Sequence, residues 1–118
     1  MKENKKILIV DDEPSILNSL NSIITKQFNI IVELASSGQE AIDKLGESQD
    51  YHIVVSDFNM PNGNGLELFH FMHSNNIKSY FVLFSANEEM KDHQLHNKVI
   101  HVEKPNIQKL LDTLEILP

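Results

Sequence analysis

The amino-acid sequence predicts an α/β fold with a parallel five-stranded sheet and helices on both of its faces. Four short apolar runs are rich in β-branched or aromatic residues and hardly alternate: residues 7–10 (ILIV), 53–55 (IVV), 80–84 (YFVLF) and 99–102 (VIHV). Strands buried on both faces of a parallel sheet have this composition. A fifth run, residues 30–35 (IIVELA), contains a charge and suits a less buried strand. Helical patterns fill the intervals, and this alternation implies right-handed crossovers.

The predicted helices begin at recognisable signals. Pro14 suits a first helical turn, and apolar residues follow it at three- and four-residue spacing as far as Phe28. Capping residues precede three further helices: Ser37 with Glu40, Asn64 with Glu67, and Asn106. Residues 87–98 carry few apolar anchors, so we expect only a short, mobile helix between the fourth and fifth strands.

Composition excludes several classes of function. With 118 residues, 41% of them hydrophobic, and no run typical of a linker, the chain is expected to form a single domain over residues 1–118. Its ten basic residues are all lysines and face 17 acidic ones, and the net charge of −7 disfavours direct binding to nucleic acid or to an anionic membrane. The absence of cysteine excludes a thiol nucleophile. The first apolar run is too short for a signal peptide or a membrane span, so we expect a cytoplasmic protein.

Polar side chains follow four of the predicted strands. Because the carboxyl ends of parallel strands meet at one edge of the sheet, these groups are expected to share a pocket. They are Asp11 and Asp12 after the first strand, Asp57 and Asn59 after the third, Ser85 after the fourth, and Lys104 with Pro105 after the fifth. Acidic residues after a strand are also common in turns and at helix N-termini, so each group alone would be a weak signal.

The chemistry of this combination is specific. Clustered carboxylates without histidine or cysteine favour a hard cation such as Mg²⁺ (or Mn²⁺). Lys104 supplies a positive charge suited to a phosphoryl group, and Ser85 supplies a hydrogen-bond donor. A carboxylate nucleophile, a divalent cation and a lysine are the components of phosphoryl transfer to an aspartate.

On these residues the chain resembles the receiver domain of two-component response regulators. The motifs that carry the resemblance are IVDDE (9–13), SDFNMP (56–61), GLEL (65–68), FSA (84–86) and KP (104–105). The resemblance covers essentially the whole chain. It implies a flavodoxin-like, doubly wound (βα)5 fold with the strand order 2-1-3-4-5.

The resemblance also implies a role for each residue of the pocket. Asp57 would accept a phosphoryl group from a phosphohistidine of a sensor histidine kinase or phosphotransfer protein. The metal would be held by Asp12, by Asp11 largely through water, by Asp57 and by the backbone carbonyl of Asn59. Lys104 would pair with Asp57 and with the phosphoryl oxygens. The Lys104–Pro105 peptide bond would be cis.

Further implications concern the switch. Ser85 would move to bind the phosphoryl group, and Asn59 and Asn87 would modulate its lifetime. Phosphorylation would then change the face built from the fourth predicted helix, the fifth strand and the last helix. His101 stands at the switch position, where the family usually has Tyr or Phe. It either packs at the edge of the sheet or gates output through a charge that depends on pH.

Other functions remain open at this stage. A Mg²⁺-dependent phosphatase would need an acidic residue at the position of Asn59, and a flavin carrier would need a phosphate loop where Asp11 and Asp12 stand. A phosphorylation-independent receiver-like binding module would not need the complete set of polar residues. Histidines three apart, at positions 70 and 73 and at 93 and 96, could bind a metal but are more typical of solvated helix faces.

The resemblance implies no turnover of an external substrate, only self-phosphorylation and autodephosphorylation. The kinase, the output partner and the oligomeric state, monomer or weak phosphorylation-dependent dimer, are left open. So is the choice between a stand-alone receiver and one cut from a regulator with an effector domain.

Overall fold

Five parallel strands form one sheet in the order β2-β1-β3-β4-β5. The computed structural model describes residues 5–86 and 95–118. The strands are β1 (Lys6–Val10), β2 (Ile31–Ala35), β3 (Ile53–Ser56), β4 (Tyr80–Ser85) and β5 (Val99–Glu103). The helices of the described residues are α1 (Pro14–Gln27), α2 (Gly38–Glu47), α3 (Gly65–Ser74) and α4 (Ile107–Ile116). The predicted fold class and strand order are confirmed.

The core lies on both faces of the sheet, as the unalternating strands predict. On β1, Leu8 and Val10 pack with the buried residues of α2 and α3, whereas Ile7 and Ile9 pack with those of α1 and α4. Strand β2 forms one edge of the sheet, and its first residue, Ile31, is 52% exposed. The prediction that the charged second run is less buried is therefore correct.

The helix caps agree with the sequence at most positions. Asn64 and Glu67 form a complete capping box at α3, and the side chain of Asn106 accepts a hydrogen bond from the backbone of α4. The predicted capping box of α2 is only half right. The hydroxyl of Ser37 does accept from the backbone N–H of Glu40, but the Glu40 carboxylate bonds to Ser36 instead of closing the box.

The predicted helix over residues 87–98 falls largely outside the described residues. Of this segment, only residues 95–98 are described, and they form a loop and turn that lead into β5 rather than a helix.

Strand register brings the predicted polar residues to one edge. Val10 pairs with Ser56, Ser56 pairs with Leu83, and Ser85 pairs with Glu103. The residues that follow β1 and β3 therefore leave the sheet side by side, and those that follow β5 leave the same edge on the far side of β4. In the part of the chain described, no helix is long and apolar enough to cross a membrane.

Candidate functional site

Three aspartates meet at the carboxyl ends of β1 and β3. Asp11, Asp12 and Asp57 each offer a carboxylate oxygen, and these oxygens lie within 4.8 Å of one another. Asp11 and Asp57 are buried, at 2% and 8% exposure, whereas Asp12 is exposed to solvent. Two acidic groups of the cluster therefore lie inside the protein, and the third lies at the surface.

Backbone hydrogen bonds hold the two buried aspartates in place. The N–H of Asp11 donates to the carbonyl of Ala35 at 3.1 Å, and that of Asp57 donates to the carbonyl of Val10 at 2.9 Å. The carboxylate of Asp11 accepts from the backbone N–H of Glu13 at 3.0 Å, and Asp57 Oδ1 accepts from the N–H of Phe58 at 2.8 Å. Both side chains are thus oriented by the chain that immediately follows their strands.

Lys104 bridges the buried aspartates. Its Nζ lies 3.0 Å from Asp11 Oδ2 and 3.3 Å from Asp57 Oδ1. The Lys104 backbone N–H donates to the carbonyl of Ser85 at 3.0 Å, which extends the β4–β5 pairing by one residue. The Lys104–Pro105 peptide bond is cis, the isomer that the resemblance implies.

Burial and charge perturb the ionisation of this pocket. Burial raises the pKa of Asp57 to about 6, and the negative charge of Asp11 acts in the same direction, while Lys104 opposes it. Burial tends to lower the pKa of Lys104, but the hydrogen bond to Asp11 and the charge of Asp57 outweigh it, so the pKa is raised. The lysine is therefore a stable cation, and Asp57 is a carboxylate that ionises close to neutral pH.

Ser85 is the last residue of β4 and contacts His101. Its side chain is fully buried, and its hydroxyl oxygen lies 3.4 Å from His101 Nε2. The same imidazole nitrogen lies 3.1 Å from the backbone carbonyl oxygen of Ser85. The ring of His101, half-buried in β5, thus faces the serine rather than only covering the edge of the sheet.

The remaining predicted residues have different outcomes. Asn59 lies two residues after Asp57 and is exposed, and its backbone carbonyl as a metal ligand stays a prediction. Asn87 lies outside the described residues. In residues 5–86 and 95–118, the only group of three or more metal-binding side chains within reach of one ion is the aspartate cluster, so His70 and His73 complete no such group.

Two features of the site were missed from the sequence. One is the direct ion pair between Lys104 and Asp11, residues 93 positions apart. The other is the close approach of Gly65, where an added Cβ would collide with the carbonyl oxygen of Asp57 and with the Leu83 side chain. The close contact at Gly65 could have been predicted from the GLEL motif, because a glycine at the start of a helix beside a site can mark a close backbone contact.

The donor set fits a hard divalent cation. The cluster offers three carboxylates, with neither histidine nor cysteine, and oxygen ligands of this kind suit Mg²⁺. Two of the carboxylates are buried, which makes a neutralising cation favourable beyond the single charge of Lys104.

The fold and this pocket define a class of protein. The family model described as response regulator receiver domain matches residues 7–115. The chain therefore belongs to the receiver domain family of response regulators. Receiver domains bind Mg²⁺ at an acidic pocket, interact with histidine kinases or phosphotransfer proteins, and are generally not turnover enzymes.

Individual relatives agree with this assignment. The nitrate/nitrite response regulator NarL of Escherichia coli is 32% identical over 92 residues, which cover 77% of this chain and 42% of NarL. A chemotaxis protein CheY homolog of Campylobacter jejuni is 36% identical over 63 residues, covering 53% of this chain and 48% of the homolog. The chain spans less than half the length of these curated relatives. The structure of the chemotaxis regulator CheY4 of Vibrio cholerae matches with a TM-score of 0.80 and 26% identity, over 98% of this chain and 99% of CheY4.

Proposed function

We propose that residues 1–118 form one cytoplasmic receiver domain that accepts a phosphoryl group on Asp57 in a Mg²⁺-dependent reaction. The donor would be a phosphohistidine of a sensor histidine kinase or phosphotransfer protein. The observation that carries the proposal is the buried Asp57 carboxylate, oriented by Phe58 and Lys104 beside two further aspartates.

The transfer step follows from the contacts of Asp57. In the described residues, its hydrogen bond and its ion pair both use Oδ1, so Oδ2 is available as the attacking oxygen. Oδ2 forms a bond to phosphorus while the bond from phosphorus to the donor imidazole nitrogen breaks. The electron pair of that bond stays on the imidazole, and the product is an acyl phosphate on Asp57. No external substrate is turned over, and hydrolysis returns the free carboxylate.

Charge neutralisation is the main task of the surrounding residues. Asp11, Asp12 and Asp57 would hold the ion, with the backbone carbonyl of Asn59 as a further ligand. A bound Mg²⁺ would neutralise the charge that builds up on the phosphoryl oxygens. Lys104 lies within 3.3 Å of Asp57 and can follow the negative charge from the carboxylate to the phosphoryl group.

Ser85 and His101 are the proposed switch. The Ser85 hydroxyl would turn from His101 towards the phosphoryl group, which would release the imidazole ring. We propose that this movement changes the face that contains β5 and α4. The output partner, a separate protein or an effector domain, would bind that face. The receiver domain itself would be a monomer or a weak phosphorylation-dependent dimer.

Intact-mass spectrometry after incubation with phosphoramidate tests the transfer. We expect one phosphoryl adduct that requires Mg²⁺ and is absent from Asp57→Asn. The control variant Asp43→Asn carries the same substitution on the exposed surface of α2 and should be modified as the native chain is. No adduct on a folded, Mg²⁺-binding protein would refute the proposal and favour a phosphorylation-independent binding module.

The switch is tested separately with His101→Phe. We expect the phosphorylation-induced NMR shifts of β5 and α4 to depend less on pH in the variant than in the native protein, because the phenyl ring cannot be protonated while the phosphoryl group titrates in both. If native and variant domains respond identically at every pH, His101 has no gating role.

A further inference from the structure

A cavity lies at the opposite end of the sheet from Asp57. Its volume is about 480 Å³, and it is bounded by the second half of α3, the start of β4 and the turn before β5. Of the described residues assigned to phosphorylation, metal binding or switching, none lines it. We call it the α3–β4 cavity. Its volume falls within the range of about 300–1,000 Å³ typical of small-molecule sites.

The inner wall of the α3–β4 cavity is apolar and partly flat. Phe69, Met72, Ile77 and Phe81 line it, and each is at most 9% exposed. The ring of Phe69 stacks on the imidazole of His73, with centroids 5.7 Å apart and planes inclined by 14°. Such a wall suits an apolar group, because removing apolar surface from water is favourable.

The rim of the cavity is basic. Lys78 and Lys98 line it together with His73, and all three are exposed, while no acidic residue of the described ranges lines it. Among residues 5–86 and 95–118, neither lysine forms an ion pair with a carboxylate. Although the chain has a net charge of −7, these basic groups make the mouth of the cavity locally positive and attractive to an anion.

From this geometry we propose that the α3–β4 cavity binds a small amphipathic anion, with an apolar body inside the cavity and a carboxylate between Lys78 and Lys98. Apolar burial supplies the affinity, and the two ammonium groups select the charge of the ligand. The proposal does not depend on phosphorylation, because the cavity and the aspartate cluster share no residue.

The test is an NMR titration of the amide resonances with three naphthalene derivatives of similar size. 2-Naphthoate is the anion, 2-naphthamide is the neutral analogue and 2-naphthylmethylamine is the cation. We expect saturable shifts with 2-naphthoate at the amides of Ile77, Phe81 and Ile100. The amide should bind more weakly than the carboxylate, and the amine at least tenfold more weakly.

A double variant, Lys78→Gln with Lys98→Gln, should weaken 2-naphthoate binding at least tenfold. Both positions are exposed, so the fold is not at risk. The control is Lys26→Gln in α1, which packs on the other face of the sheet and should leave binding unchanged. Absence of saturable shifts, shifts at other residues, equal binding of all three derivatives, or unchanged binding by the double variant would each overturn the proposal.

Discussion

The Asp57 carboxylate combines two opposing requirements. The nucleophilic attack proposed for Asp57 requires the ionised form, but the buried position favours the neutral form and raises the pKa to about 6. Lys104 offsets part of this cost through its ion pair at 3.3 Å, and Asp11 adds to it. At neutral pH the free carboxylate is therefore ionised but destabilising, a cost that a second cation in the pocket would relieve.

Replacing Asp57 by asparagine should stabilise the metal-free protein at about pH 7.5 by about 1–3 kcal/mol. The folded protein holds the Asp57 proton up to about pH 6, whereas the ordinary value for aspartate is 3.8. Between these values the folded state binds more protons than the unfolded state, so the free energy of unfolding falls as pH rises. The gain in Asp57→Asn should therefore shrink towards about pH 4.

Urea unfolding of Asp57→Asn and the native chain over this pH range measures the effect. Asp112→Asn, at an exposed position of α4, is the matched control. A native protein as stable as Asp57→Asn at every pH, or an equal gain in the control, would contradict the explanation.

Removing the charge of Lys104 should raise the pKa of Asp57 above about 6. The lysine is the main group that lowers this pKa against the effect of burial. Carboxyl carbon NMR titration of Lys104→Met measures the pKa directly, with Lys109→Met on α4 as the control for loss of one positive charge. An Asp57 pKa that stays the same or falls in Lys104→Met would show that the ion pair does not stabilise the ionised Asp57 carboxylate.

At the level of the element, glycine contacts decide how α2 and α3 meet the site. Gly65 opens α3 directly against the backbone of Asp57, so the helix begins beside the end of β3. Gly38 opens α2, and an added Cβ there would lie 2.5 Å from the carbonyl oxygen of Gly63. Both helices can therefore approach the loops around the pocket more closely than any side chain would permit.

Two glycine-to-alanine variants should have opposite effects. Gly65→Ala should destabilise the fold by about 1–3 kcal/mol, because backbone atoms of Asp57 and Phe58 cannot move away without displacing the site. Gly46→Ala, in α2 with no neighbouring atom within 4 Å of the added methyl, should stabilise by about 0.5–1 kcal/mol. Thermal or urea unfolding measures both. Equal effects in the two variants would exclude the steric explanation for Gly65.

At the level of the whole molecule, the two ends of the sheet have different properties. The carboxyl ends carry the aspartates and Lys104, whereas polar groups at the amino ends bond to one another. There, the hydroxyl of Tyr51 donates to Glu33 at 2.7 Å, and Lys6 pairs with both Glu33 and Asp50. His52 lies at this end, with its ring edge-on to Tyr80, and its buried Nε2 has no hydrogen-bond partner within the described residues.

His52 should contribute a loss of stability in mild acid, opposite in sign to the contribution of Asp57. Burial lowers the pKa of His52 from 6.5, the charge of Lys5 adds to the effect, and the backbone of Leu117 opposes it. The unfolded chain then binds more protons than the folded chain below about pH 6.5, so stability falls as pH falls through this range. In His52→Phe, which keeps a ring against Tyr80, this loss should be smaller.

Chemical unfolding between about pH 7.5 and 5 measures the slope of stability against pH. His70→Phe, at an exposed position of α3, serves as the matched control. If His52→Phe keeps the native slope, or if the control changes it as much, the origin of the acid sensitivity lies elsewhere.

Local patterns were enough to predict most elements of the fold. The apolar runs predicted the five strands to within one or two residues, and the cap residues Asn64 and Asn106 predicted the starts of α3 and α4. The α2 capping box was half wrong because Glu40 had a competing partner in Ser36, and spacing alone cannot rank two neighbouring donors.

The sequence by itself determined the strands, their burial on both faces and the polar residues that end them, because these depend on propensity and periodicity among neighbours in the chain. Tertiary structure alone decided that Lys104 contacts Asp11 as well as Asp57, that His101 faces Ser85, and that Asp57 ionises near pH 6. These properties depend on distances and burial set jointly by strand register and helix packing. No single segment of the chain contains that information.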